Sequence, residues 1–217
     1  MPQYFVIYKP FGILSQFSDA ESLKEVGNFP PEVYPVGRLD KDSEGLLLIT
    51  DDKPLNHYLL NPKFEHSRTY LVQVEGIPTE EALRALETGV EINLKGKIYL
   101  TKKAIALLQE KAPQVPERNP PIRYRKKVPD SWLSLSLREG KNRQVRKMTA
   151  SVGLPTLRLI RWSMENLSIE GFAVGEIREF SQEEIYVFLN IYKGELIKPI
   201  GGKVRKSFKS HGNKNRP

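Results

Sequence analysis

The 217-residue chain contains no cysteine. Disulfides and thiolate metal sites are therefore excluded, and a reducing, cytoplasmic setting is expected. Histidine is nearly as scarce: His57, His66 and His211 show no ligand spacing, so no metal site is expected. No apolar run approaches the roughly 20 residues that cross a bilayer. The N-terminus opens on a candidate strand rather than a basic-then-apolar secretion leader. A membrane partner is accordingly not expected.

Acidic side chains are scarce in one stretch and missing from another. Residues 118–161 hold 12 basic and 2 acidic side chains, and residues 198–217 hold 7 basic and none acidic. The remaining segments are mildly acidic, with 13 basic against 17 acidic in 1–117 and 2 against 7 in 162–197. Two basic blocks on an acidic body imply a polyanionic partner, more than the total of +8 does by itself.

Periodicity predicts a mixed fold. Strands are expected at 4–8, closed by the turn Lys9-Pro10-Phe11-Gly12, and at 46–50, 68–75 and 131–137, the last with clear period-two alternation. One helix is expected behind an N-cap at Thr79, ending at Gly89; a second behind Asn142, running to Val152. The second carries Val145, Met148, Thr149 and Val152 on one face and Arg143, Arg146 and Lys147 on another. A third is expected from Gln182 to about Ile191 behind the capping box of Ser181 and Glu184. Segment 111–130, with five prolines, reads as a basic loop. From about residue 193 the chain reads as a basic, disordered tail. The class expected is α+β, a mixed or antiparallel central sheet flanked by helices.

Two stretches carry chemistry. In Val36-Gly37-Arg38-Leu39-Asp40-Lys41-Asp42-Ser43-Glu44-Gly45, followed by Leu46 to Thr50, an aspartate stands on a charged turn that feeds a short apolar run. That run reads as a buried strand, a rigid mounting for a catalytic side chain. A bland reading, solvated turn charges, competes with it. The acids also fall near the positions of a calcium loop, but positions 5 and 12 carry the wrong acid and the flanks cannot form its helices. The second stretch is Glu139-Gly140-Lys141-Asn142-Arg143-Gln144-Val145-Arg146-Lys147-Met148. A strand ends there in a glycine turn, and a helix begins with exposed amides and cations, which suits an anion.

The first stretch resembles the Gly-Arg-Leu-Asp signature of RNA pseudouridine synthases, and the second resembles that family's third motif. Arg68-Thr69-Tyr70 matches the element between them, and Lys9-Pro10-Phe11-Gly12 the one before. The motifs stand in the family's order over residues 4–180. Arg118-Asn119-Pro120-Pro121-Ile122-Arg123 and Pro155-Thr156-Leu157-Arg158-Leu159-Ile160-Arg161 point to its bacterial ribosomal branch, in a subgroup acting on large-subunit RNA. Tyr8, Lys53 and Lys141 depart from the usual pattern without touching the proposed catalytic positions.

The resemblance implies an isomerisation that breaks the uridine N1–C1′ bond and makes a C5–C1′ bond, with no metal or cofactor. It implies that Asp40 is the nucleophile, at either C1′ or C6, that Tyr70 lies over the base as a candidate general base, and that Arg146 pairs with Asp40. Arg38 would help to displace the base or fill its vacated stack. Lys9, Arg118, Arg123, Lys141, Arg143, Lys147, Arg158 and Arg161 complete the expected RNA-binding set, and ribosomal RNA is the expected partner of a monomer. Residues 1–192 would form the catalytic domain, without the small S4-type domain that precedes it in many relatives. The rival class is a non-catalytic ribosomal-RNA-binding or ribosome-assembly module derived from such an enzyme.

Overall fold

The computed structural model describes residues 1–18, 20–122 and 128–191. The chain runs β1 (Tyr4–Lys9), β2 (Tyr34–Pro35), β3 (Glu44–Thr50), α1 (Lys53–Leu60), β4 (Arg68–Glu75) and α2 (Glu80–Thr88). It continues through β5 (Glu91–Leu94), β6 (Lys97–Leu100), β7 (Ile105–Gln109), β8 (Asp130–Leu137) and α3 (Gln144–Ser151). It closes with β9 (Thr156–Met164), β10 (Leu167–Ser168), β11 (Ile177–Phe180) and α4 (Gln182–Phe188).

One mixed sheet holds nine of these strands. Its path is β11-β1-β3-β9-β4-β8-β7, with β2 attached to β3 and β10 to β9, while β5 and β6 form a separate hairpin. All neighbours are antiparallel except β3 and β9, which pair in parallel through Glu44↔Ile160 and Gly45↔Arg161. The α+β expectation therefore holds, and the parallel seam lies in the middle of the sheet.

Burial explains why some strands are legible and others are not. In β3, Leu46 and Leu48 face a cluster shared with β1, α1 and α4, while Leu47 and Ile49 face another with Ile7 and Leu23. Both faces are covered, so the strand is apolar throughout rather than alternating. In β4, Leu71 faces the first cluster, and Val72 and Val74 join Leu133, Leu135, Val145 and Met148 under α2 and α3. Each fully buried Leu or Ile there contributes on the order of 1.5–3 kcal/mol.

The helix behind residue 142 begins differently from expectation. Its N-cap is Arg143, in the left-handed region at φ 52°, and no side chain caps it. Gln144 folds back instead, its Oε1 accepting from the Lys141 amide at 2.9 Å. The last helix has the expected capping box but stops at Phe188. The expected tail from residue 193 lies outside the described residues, as do 123–127 of the proline-rich loop.

Candidate active site

Asp40 is held by its backbone neighbours. Buried Ser15 uses one hydroxyl twice: it accepts from the Leu39 amide at 3.0 Å and donates to the Leu39 carbonyl at 2.9 Å. The Gly12 amide donates to the Lys41 carbonyl, and the Ser43 amide closes the turn onto the Asp40 carbonyl. The aspartate carboxylate stays 35% exposed, at a cleft of about 540 Å³. Arg38, Arg68, Tyr70, Lys141, Arg143 and Arg161 also line that cleft.

Arg161 of the cleft stands on the parallel seam. Across three strands the register aligns Gly45 on β3, Arg161 on β9 and Tyr70 on β4. Gly45, at φ 104°, is the enabling residue: an added Cβ would lie 2.3 Å from the Arg161 carbonyl oxygen and 2.8 Å from its nitrogen. No side chain fits between those backbones. A β-bulge between Thr69 and Tyr70 shifts the ladder where Tyr70 enters the cleft.

The arginines at the start of α3 hold the turn rather than Asp40 alone. Arg143 grips Asp42 with two prongs at 2.9 and 2.8 Å, and its Nη1 lies 3.5 Å from Asp40 Oδ2. Arg146 is mostly buried; its Nη2 donates to the Asp42 carbonyl at 2.6 Å and its Nε lies 3.4 Å from Asp42 Oδ2. The expected Arg146–Asp40 pair is thus replaced by Arg146–Asp42. The Asp40–Ser43 turn brings the Asp42 backbone and carboxylate toward the first turn of α3, and they take up the guanidinium. Hydrogen bonding from Arg143 holds the Asp42 carboxyl below its ordinary range, with the charge of Arg146 adding to it. Burial works the other way on Arg146, lowering its own pKa.

Three cations expected to face RNA are engaged elsewhere. Lys9 is fully buried, and its ammonium donates to the carbonyls of Pro10 and Ile13. Arg158 is buried in a two-pronged pair with Glu44, at 2.9 and 2.7 Å, and also donates to the Pro116 carbonyl. Arg161 lines the cleft but is 4% exposed. Arg118 lies over the Phe11 ring at 4.3 Å and bonds the Pro120 carbonyl, and neither it nor Lys147 lines the cleft. Arg38, Lys141 and Arg143 are exposed at its rim, and Arg123 lies outside the described residues.

Sequence reasoning missed the groups that brace this site. Glu139 is buried and accepts from Tyr99 Oη at 2.5 Å, the Lys102 amide at 2.9 Å and Gln144 Nε2 at 2.6 Å. It ties the β5–β6 hairpin to the start of α3 and pushes the Tyr99 phenol up to about 12. Tyr99 and Lys102 stand 40 and 37 residues before Glu139 in sequence, beyond the reach of any local pattern.

A partly exposed carboxylate, an aromatic ring and a cationic rim around one cleft, on this mixed sheet, are the parts of an enzyme acting on nucleic-acid bases. The chain belongs to the RNA pseudouridylate synthase family, whose signature matches residues 3–151. It is 50% identical over 173 residues to ribosomal large subunit pseudouridine synthase E of Xanthomonas axonopodis pv. citri (strain 306), covering 77% of this chain and 88% of that protein. The protein of the same name from Vibrio vulnificus (strain CMCP6) is 47% identical over 178 residues, covering 81% and 74%. A crystal structure of a pseudouridylate synthase superposes with a TM-score of 0.69 at 28% identity, covering 87% of this chain and 74% of the other.

Proposed function

We propose that this enzyme converts one uridine of large-subunit ribosomal RNA to pseudouridine, with Asp40 as the nucleophile. The observation that carries the reading is the shared cleft: the Asp40 carboxylate, the Tyr70 ring and exposed Arg38, Lys141 and Arg143 line one space. Its volume of about 540 Å³ suits a single extruded nucleotide. The names of the relatives at 50% and 47% identity support ribosomal RNA of the large subunit as substrate.

In this reading the cationic rim holds backbone phosphates while the target base leaves its stack, a step that costs a few kcal/mol. Tyr70 stacks on the uracil and is placed to take part in moving the C5 proton. Asp40 attacks C1′ or C6, the N1–C1′ bond breaks, the C5–C1′ bond forms and the bond to Asp40 is released; C5 then gives up its proton and N1 takes one, so the product is an isomer of the substrate. Arg143 supplies the countercharge nearest to Asp40, and Arg146 fixes the turn that presents it. The isomerisation is redox-neutral and calls for no cofactor. We place it in the cytoplasm, performed by a monomer whose catalytic domain spans 1–192.

The test is pseudouridine mapping on large-subunit RNA incubated with purified protein. One new pseudouridine is expected with the wild type and none with Asp40→Asn, whose RNA affinity should persist because phosphate contacts lie elsewhere. Undiminished product from Asp40→Asn would overturn the nucleophile assignment.

A further inference from the structure

The cleft wall contains a buried cation to which the mechanism above gives no task. Arg161 faces Gly45 on one side, five residues beyond Asp40, and Tyr70 on the other, at the bulge of β4. Its Nε donates to the Leu46 carbonyl at 2.7 Å, tying the guanidinium to the strand that leaves the Asp40 turn. At its other end Nη2 is buried without a partner at hydrogen-bond geometry. Burial draws the Arg161 pKa down to about 10, and the Tyr70 hydroxyl is the largest influence opposing that fall, while Arg68 adds to it.

Filling this position needs no charge. An apolar side chain of similar volume is often as stable in a buried site as an ion, and it leaves no open donor. A flat guanidinium with donors at both ends offers what such a residue cannot: it bonds the strand behind Asp40 at one end and keeps a second donor available on the strand next to Tyr70, its cross-strand neighbour. We infer that Arg161 is a positioning residue for the reaction, joining the β3 strand behind Asp40 to the phenol of Tyr70 and fixing the ring in the cleft. The inference rests on the proposed role of Tyr70 at the base. It also reassigns Arg161 from RNA grip to geometry, since a side chain 4% exposed has no surface for phosphate.

The experiment is a double-mutant cycle read by single-turnover rates at saturating enzyme, with RNA affinity and thermal midpoint measured on each variant. Arg161→Met should bind RNA with unchanged affinity and salt dependence but turn over roughly tenfold to a hundredfold more slowly, the range for a hydrogen bond to a charged group. Arg161→Lys, which keeps the charge without the fork, should recover part of the rate. In a Tyr70→Phe background the same Arg161 change should slow turnover little further, because the hydroxyl through which it acts is already gone. If Arg161→Met does not fold, Arg161→Lys takes its place in the cycle. Fully multiplicative rate losses would overturn the link while leaving the Tyr70 assignment in place. A wild-type rate from Tyr70→Phe alone would overturn both the link and the part given to the Tyr70 hydroxyl in moving the C5 proton. A loss of affinity in Arg161→Met at an unchanged saturated rate would return Arg161 to RNA binding.

Discussion

Lys9 donates its ammonium to two main-chain carbonyls and has no exposed surface, although a lysine beside a glycine turn has the local marks of an RNA-facing cation. Burial lowers its pKa from 10.5 to about 8. Between those values the unfolded chain still holds a proton that the folded chain has released, so folding stability rises with pH from about 8 upward. Above about 10, Tyr4 and Tyr8 also begin to ionise in the unfolded chain, which bounds the useful window. Urea midpoints of the wild type should therefore climb between pH 8 and 10, and those of Lys9→Met should stay level; a level wild-type profile would remove Lys9 as the cause. Arg146 gives a second prediction at this scale. Its guanidinium fixes the Asp40 turn through Asp42, whereas neighbouring Lys147 is off the cleft. Arg146→Ala should cut the single-turnover rate at saturating enzyme by roughly tenfold or more, and Lys147→Ala should leave it near wild type. The reverse order would mean that the faces of α3 are assigned wrongly.

Among the elements, β9 was the least legible and is among the most important. Its sequence interrupts apolar residues with Arg158 and Arg161, which locally reads as a basic segment for RNA. Both cations are buried because their partners come from β3, over a hundred residues earlier: Glu44 for Arg158 and the Leu46 carbonyl for Arg161. Long-range pairing of this kind leaves no trace in local periodicity, whereas β3, covered on both faces, announced itself as an uninterrupted apolar run. The Asp40 turn and the Tyr70 strand were legible for the same reason, since their motifs are local. The α3 N-terminus was misread because Gln144, not Asn142, captures the loop amide. The consequence for β9 is measurable. Arg158→Ala should destabilise the fold by about 3–5 kcal/mol, since it strands the buried Glu44 carboxylate. At temperatures where the variant is folded, the salt dependence of its RNA binding should match the wild type. An unchanged denaturation midpoint with a reduced salt slope would restore Arg158 to the RNA surface.

For the whole molecule, charge and chemistry are assigned to different places. Arg38, Lys141 and Arg143 form the exposed cationic rim beside Asp40, while 7 further basic residues with no acidic ones occupy 198–217. The first set stands around the same cleft as Asp40 and Tyr70. The second lies outside the described residues. Cations that neutralise phosphates without reading base edges add affinity at every site nearly equally, so they hold RNA without choosing a uridine. Each phosphate released from the complex reduces the slope of log affinity against log salt by about 0.7 to 0.9. Removing 198–217 should therefore weaken RNA binding at low salt and flatten its salt dependence, while the same uridine is modified at an unchanged saturated rate. Filter binding across a salt series, paired with pseudouridine mapping, separates the two quantities. A truncated protein that keeps its affinity but modifies a different uridine, or none, would show that the tail selects the target and that the recognition surface extends beyond the cleft.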